Sequence, residues 1–147
     1  MPAEQDSRLV VQEWVAKAEE DWEVASRLLH PAENCPAASV AFHAQQCVEK
    51  YLKALLVWRH RAFPKTHDLG ALRKLLPAGL DLGLSEGEQD RLTDYATVSR
   101  YPGAEPPPSF ADAKSAVATA RRVRARARKL LGLTPRQPPN SNPQTLA

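Results

Sequence analysis

The run Phe42-His43-Ala44-Gln45-Gln46-Cys47-Val48-Glu49-Lys50-Tyr51-Leu52-Lys53-Ala54-Leu55-Leu56 contains neither glycine nor proline. It is rich in helix-forming residues, so an α-helix is the expected local structure. Val40, Ala44, Cys47, Val48, Tyr51 and Leu55 recur at three- and four-residue intervals and form one apolar face. His43, Gln46, Lys50 and Lys53 recur at the same intervals on a different face. One helix thus carries a core stripe beside a His/Gln/Lys stripe.

The rest of the chain reads as further helices, with no convincing strand. Val11, Trp14, Val15, Ala18, Trp22, Ala25 and Leu29 place a first helix over about Ser7–Leu29, ended by His30-Pro31. The second helix runs from about Pro36, a residue suited to a first helical turn, to Arg61. Thr66 or Asp68 caps a short third helix that reaches Leu76. Ser85-Glu86-Gly87-Glu88 fits the capping-box pattern and opens a fourth, to about Ser99. Tyr101-Pro102-Gly103 and Pro106-Pro107-Pro108 then impose an extended break. Ser109 opens the last helix, which ends near Leu131-Gly132. The organisation expected is one helical domain over residues 1–132 and a polar, proline-rich, disordered tail over 133–147.

Length and composition agree with this. The chain has 147 residues, 43% of them apolar and 25% charged, enough for a single buried core. No stretch approaches the roughly 18 apolar residues of a membrane span. No secretory signal is visible at the N-terminus, so the expected location is cytoplasmic. Cys35 and Cys47 are too few for an all-cysteine zinc site, and without a signal sequence reduced thiols are favoured over a disulfide. There is no glycine-rich phosphate loop and no credible metal-ligand cluster, so neither cofactor nor metal is expected. Charge is unevenly spread. Residues 1–34 hold eight acids and three bases; residues 109–131 hold seven bases and one acid. Such asymmetry suits either a polyanion partner or complementary faces within an assembly.

In the last helix Ala113, Ala116, Ala120, Val123, Ala127, Leu130 and Leu131 share an arc of roughly 100°. Arg121, Arg122, Arg124, Arg126, Arg128 and Lys129 fill most of the remaining circumference. The narrow alanine stripe allows close packing inside an all-α bundle. The arginines are expected to face solvent or a partner. Phosphate contact with a nucleic acid is one role for them; pairing with the acidic first helix is the other.

Four ordered features carry a family resemblance. They are Trp14-x7-Trp22 in acidic surroundings, the Phe42-His43-Ala44-Gln45-Gln46 to Lys53-Ala54-Leu55 run, Lys65-Thr66-His67-Asp68-Leu69, and Ser99-Arg100-Tyr101-Pro102-Gly103. Over about residues 8–131 the chain resembles the HEPN domain family of small helical domains. The resemblance implies an up-and-down bundle of four to five helices and a homodimer. It further implies a minimal nucleotidyltransferase (MNT) protein as partner, in a toxin–antitoxin-like pair; nucleotide or RNA contact is expected through the basic residues. Active toxin members of the family are metal-independent endoribonucleases marked by an Arg followed, four to six residues on, by a His at a late helix. Here Arg100 occupies that place, but after His67 the chain contains no histidine. RNA cleavage by transesterification needs a base for the 2′-hydroxyl proton and a cation for the phosphorane charge. The expected function is therefore binding without strong catalysis. Endoribonuclease activity and a simple RNA-binding module stand as alternatives.

Candidate residues follow, each with two readings. Arg100 and His67 are the candidates for catalysis; Arg61 to His67 also matches the Arg–His spacing, in a connector. His67 next to Asp68 suggests an acid-oriented imidazole, although adjacent residues point in different directions, and capping of the third helix is the alternative. His43, Gln46, Lys50, Lys53 and Tyr101 are candidates for ligand binding. The alternative for the stripe is a solvated surface with a Glu49–Lys53 pair, or polar groups bonded to neighbouring helices. For Arg100-Tyr101 the alternative is a helix end stopped by Pro-Gly. Trp14, Trp22 and Trp58 read as core or interface anchors.

Overall fold

The computed structural model describes residues 2–97, 101–103 and 106–133. Arg100, one of the two catalytic candidates, and the proline-rich tail beyond Leu133 lie outside the described residues. Five α-helices are present: α1 (Pro2–Leu28), α2 (Ala37–Trp58), α3 (Leu69–Lys74), α4 (Glu86–Ala96) and α5 (Phe110–Leu130). A short 3-10 turn, Ala32–Asn34, lies between α1 and α2. There is no strand among the described residues, so the all-α expectation is met. No helix of the described residues is long and apolar enough to cross a membrane.

Contacts at the two ends of the bundle give the directions. The His30 ring, just after α1, meets Phe110 at the start of α5, with centroids 6.0 Å apart. At the opposite end Trp58, Leu131 and Val11 line one groove. α2 and α5 therefore run parallel to each other and antiparallel to α1. Glu88 at the start of α4 meets Thr119 and Arg122 midway along α5, while Tyr95 near the end of α4 shares a small pocket with Ser115 and Ala116, nearer the start of α5. α4 thus opposes α5, and the four long helices alternate up and down.

Local signals explain the helix boundaries. Asp68 accepts from the Ala71 amide at the start of α3. Ser85 and Ser109 each form a complete capping box, with Glu88 and Asp112 respectively. The sequence pattern displays the first of these boxes; Asp112 in the second was not anticipated. α2 starts at Ala37, with Pro36 just outside it, and stops three residues short of Arg61. The stop has a cause: His60 adopts a left-handed conformation (φ 55°), and the Arg61 amide turns back onto the Leu56 carbonyl at 2.8 Å. α4 ends at Ala96 rather than Ser99.

α2 is the axis of the fold, packed against α1, α3, α4 and α5. Its expected apolar face is buried throughout, but so are Gln45, Gln46, Glu49 and Lys53 on its other sides. Of the two alternatives for the stripe, the solvated surface does not hold: Gln46 and Lys53 are buried and His43 and Lys50 half-buried, bonded to neighbouring groups. Tyr51, Leu52, Leu55 and Leu56 are fully buried, each worth about 1.5–3 kcal/mol in burial. α5 contributes Ala113, Ala116, Val117, Ala120, Val123 and Ala127 to the core. These short side chains permit the close approach that the alanine stripe predicts.

Candidate functional site

The polar residues of α2 divide between two buried carboxylates. The first is Asp21, presented by α1 and 7% exposed. His43 and Lys50 stand seven residues apart, two turns along α2, and so reach it together. His43 Nδ1 lies 2.8 Å from Asp21 Oδ1, and Lys50 Nζ donates to Oδ2.

The second carboxylate is Glu49 of α2 itself, 3% exposed. Lys53 Nζ donates to it at 3.1 Å, one turn along the helix, and Gln45 and Gln46 donate at 3.3 and 3.4 Å. His67 Nδ1 lies 2.7 Å from Glu49 Oε1. Gln45 also donates to the His67 carbonyl at 3.1 Å, so side chains of α2 stitch the connector before α3 in place. The Lys53 ammonium lies over two aromatic rings, 5.3 Å from the Trp14 centroid and 5.9 Å from that of Phe63.

A third carboxylate joins α1, α2 and α5. Glu19 receives both nitrogens of a bidentate Arg124, at 2.6 and 2.7 Å, and the Tyr51 hydroxyl at 2.6 Å. Arg128 approaches Glu19 at 3.4 Å. Burial opposes ionisation of Glu19. The Arg124 and Tyr51 hydrogen bonds, with the charges of Arg124 and Arg128, outweigh it and hold the carboxyl below its ordinary value. Burial, then the bond to Glu19, push the Tyr51 phenol up.

The arginines of α5 are largely engaged inside the molecule. Besides Arg124 and Arg128, Arg122 pairs with Glu88 at 2.5 Å and donates to the Gly83 carbonyl at 2.8 Å. Arg126 pairs with Asp81. Pairing with the acidic first helix is thus realised by Arg124 and Arg128 through Glu19, whereas Arg122 and Arg126 find their carboxylates outside that helix. Arg121 and Lys129 are exposed, and Arg121 lies 5.5 Å from the Trp22 ring centroid. Tyr101, 73% exposed in the bend after α4, stands apart from the α2 cluster.

The chemistry open to this arrangement centres on His67. With Nδ1 taken by Glu49 and the side chain 54% exposed, Nε2 is the nitrogen left to exchange a proton with solvent or a ligand. Its acid is Glu49, not the adjacent Asp68, which caps α3. His43 is less open, at 30%. Among the described residues no group of three or more His, Cys, Asp or Glu could hold a metal ion.

Sequence reasoning missed Asp21, Glu19, Gln45 and Tyr51 as site residues, and Glu49 as the partner of His67. A signal existed for two of them. Asp21 falls at i+3 from Ala18 and i−4 from Ala25, and Glu19 at i+4 from Val15, all within the apolar register of α1. A carboxylate in such a register is buried, and a buried charge needs a partner.

A model of the HEPN domain matches residues 11–130. Among solved structures the chain is similar to the crystal structure of TT1696 from Thermus thermophilus. The two are 25% identical over 81% of this chain and 96% of that one, with a TM-score of 0.66. No curated protein matches the chain. With its family model spanning most of its length and an all-helical bundle to match, the chain belongs to the HEPN domain family.

Proposed function

We propose that this HEPN domain is a homodimeric partner of a nucleotidyltransferase-like protein in a toxin–antitoxin-like pair. In this reading it contacts a nucleotide or RNA without cleaving RNA strongly. The observation that carries the reading is the fate of the catalytic parts. The chain has no histidine after His67, and His43, Lys50 and Lys53 of α2 are each bound to a buried carboxylate. Lys50 and Lys53 would have to leave Asp21 and Glu49 to meet a phosphate. Among the candidate bases, polyanion contact is left to the exposed Arg121 and Lys129 on α5.

One experiment tests the partnership: sedimentation velocity of the purified chain, alone and mixed with a minimal nucleotidyltransferase. The expected species alone has twice the 16.2 kDa chain mass, and the mixture forms a larger complex. A strict monomer that leaves the second protein unbound would refute the reading.

A second reading, endoribonuclease action, draws support from the Glu49–His67 pair. A carboxylate-held imidazole with an open Nε2 suits removal of a 2′-hydroxyl proton. Arg100 would be its cation.

A further inference from the structure

One end of the bundle carries a groove unrelated to the polar cluster, with a volume of about 550 Å³. Its origin lies in where the helices stop. α2 and α5 end side by side, each closed by a left-handed residue, His60 (φ 55°) and Gly132 (φ 72°). Their amides fold back in the same way: Arg61 N–H bonds the Leu56 carbonyl and Leu133 N–H the Arg128 carbonyl, both at 2.8 Å. α1 continues past these ends, where Leu9 and Val10 stand exposed. Val11, Val15, Trp58, Leu131 and Leu133 make the apolar walls, and Trp58 remains 46% exposed.

We propose that this groove is the seat of the chain's own proline-rich tail, with Pro135–Pro139 lying in it as polyproline II. Three features of the molecule select this occupant. Leu133 is itself a wall of the groove, so Thr134-Pro135-Arg136-Gln137-Pro138-Pro139 starts at its edge. Proline segments favour polyproline II, with three residues per turn, which puts Pro135 and Pro138 on one face toward the aliphatic walls and the Trp58 ring. At about 3.1 Å per residue, the stretch from Leu133 to Pro139 spans roughly 19 Å. The α1 wall from Ser7 to Ala16 spans about 14 Å at 1.5 Å per residue.

Polar chemistry matches as well. A polyproline II backbone makes no hydrogen bonds of its own, and each proline offers a carbonyl and no N–H. Arg8, Gln12 and Trp58, which line the groove, each carry a side-chain N–H donor. Tethering adds to this, since a short linker supplies the segment at an effective concentration in the millimolar range.

Nuclear magnetic resonance of the full chain tests the proposal through the Trp58 indole N–H peak, identified by its loss in Trp58→Phe. The wild type is compared with the full-length Pro135→Ser/Pro138→Ser/Pro139→Ser variant. The indole peak is expected to differ in position between the two. A synthetic peptide of residues 134–147, added to the triple variant, is expected to move its peak toward the wild-type position. An indole peak at the same place in both proteins would overturn the proposal. So would a wild-type shift that vanishes on dilution, because the tail would then sit on another copy.

Discussion

Replacing Glu19 with Met tests the electrostatic seam that joins three helices. The substitution removes the acceptor of the bidentate Arg124 and of the Tyr51 hydroxyl, and the ion-pair partner of Arg128. The Arg124 and Arg128 side chains are only 17% and 14% exposed, so both lose the Glu19 charge with little water to replace it. Breaking a buried pair from one side costs about 3–5 kcal/mol. Residual water at both arginines sets the expectation at the low end, about 3 kcal/mol, or a fall of roughly 9–12 °C in Tm for a domain of this size. The double variant Glu19→Met/Arg124→Met no longer strands Arg124, and a coupling of about 2 kcal/mol is expected between the two sites.

The pH dependence has a definite sign. The folded carboxyl of Glu19 lies below its ordinary value of 4.5, so its stabilisation is complete above that pH and fades as pH falls through the lower folded value. Urea denaturation followed by circular dichroism at pH 7 and at acid pH measures both effects. A loss under about 1 kcal/mol at pH 7 would refute the reasoning. A gap between wild type and variant that widens in acid would refute it equally.

Further expectations rest on single contacts. The Glu88 carboxyl is pushed down to about 2 despite burial, by the Ser85 amide, the Thr119 hydroxyl, the Ser85 side chain and the Arg122 charge. Its stabilisation should hold above pH 4.5 and disappear toward pH 2, and its titration by NMR should show a midpoint well below the ordinary value; a midpoint near 4.5 would contradict the contacts. Gly83→Ala places a Cβ 2.8 Å from Arg122 Cγ at a φ of 67°, and a cost of about 1–2 kcal/mol is expected in urea denaturation. Ser109→Ala removes the cap of α5 and should cost about 1 kcal/mol in the same assay. If Arg121 and Lys129 alone meet single-stranded RNA, the slope of log affinity against log salt should be about −1.5; contact by all six bases of α5 would give about −4.

The helical architecture was legible because apolar spacing and capping residues are local. Ser85 with Glu88 announced the start of α4, and Thr66 or Asp68 that of α3, where Asp68 proves to be the cap. What stayed hidden depended on how the helices surround α2. A His/Gln/Lys stripe looks like a solvated face until four neighbours close over it, and then it can persist only with buried carboxylates to bond it. Glu49 was visible as a helical partner of Lys53, four residues away. Its contact with His67, eighteen residues away, required the connector to fold back. The α5 arginines likewise had two readings until Glu19, Asp81 and Glu88 were placed against them.

Incubation of the metal-free, purified chain with single-stranded RNA tests most directly the claim that this HEPN domain binds rather than cuts. Wild type, Arg100→Ala, His67→Ala and Glu49→Gln are compared by gel. The account predicts that the RNA stays intact in all four reactions. Cleavage by the wild type that either Arg100→Ala or His67→Ala abolishes would contradict it, and loss in both His67→Ala and Glu49→Gln would make the Glu49–His67 pair the centre of an endoribonuclease.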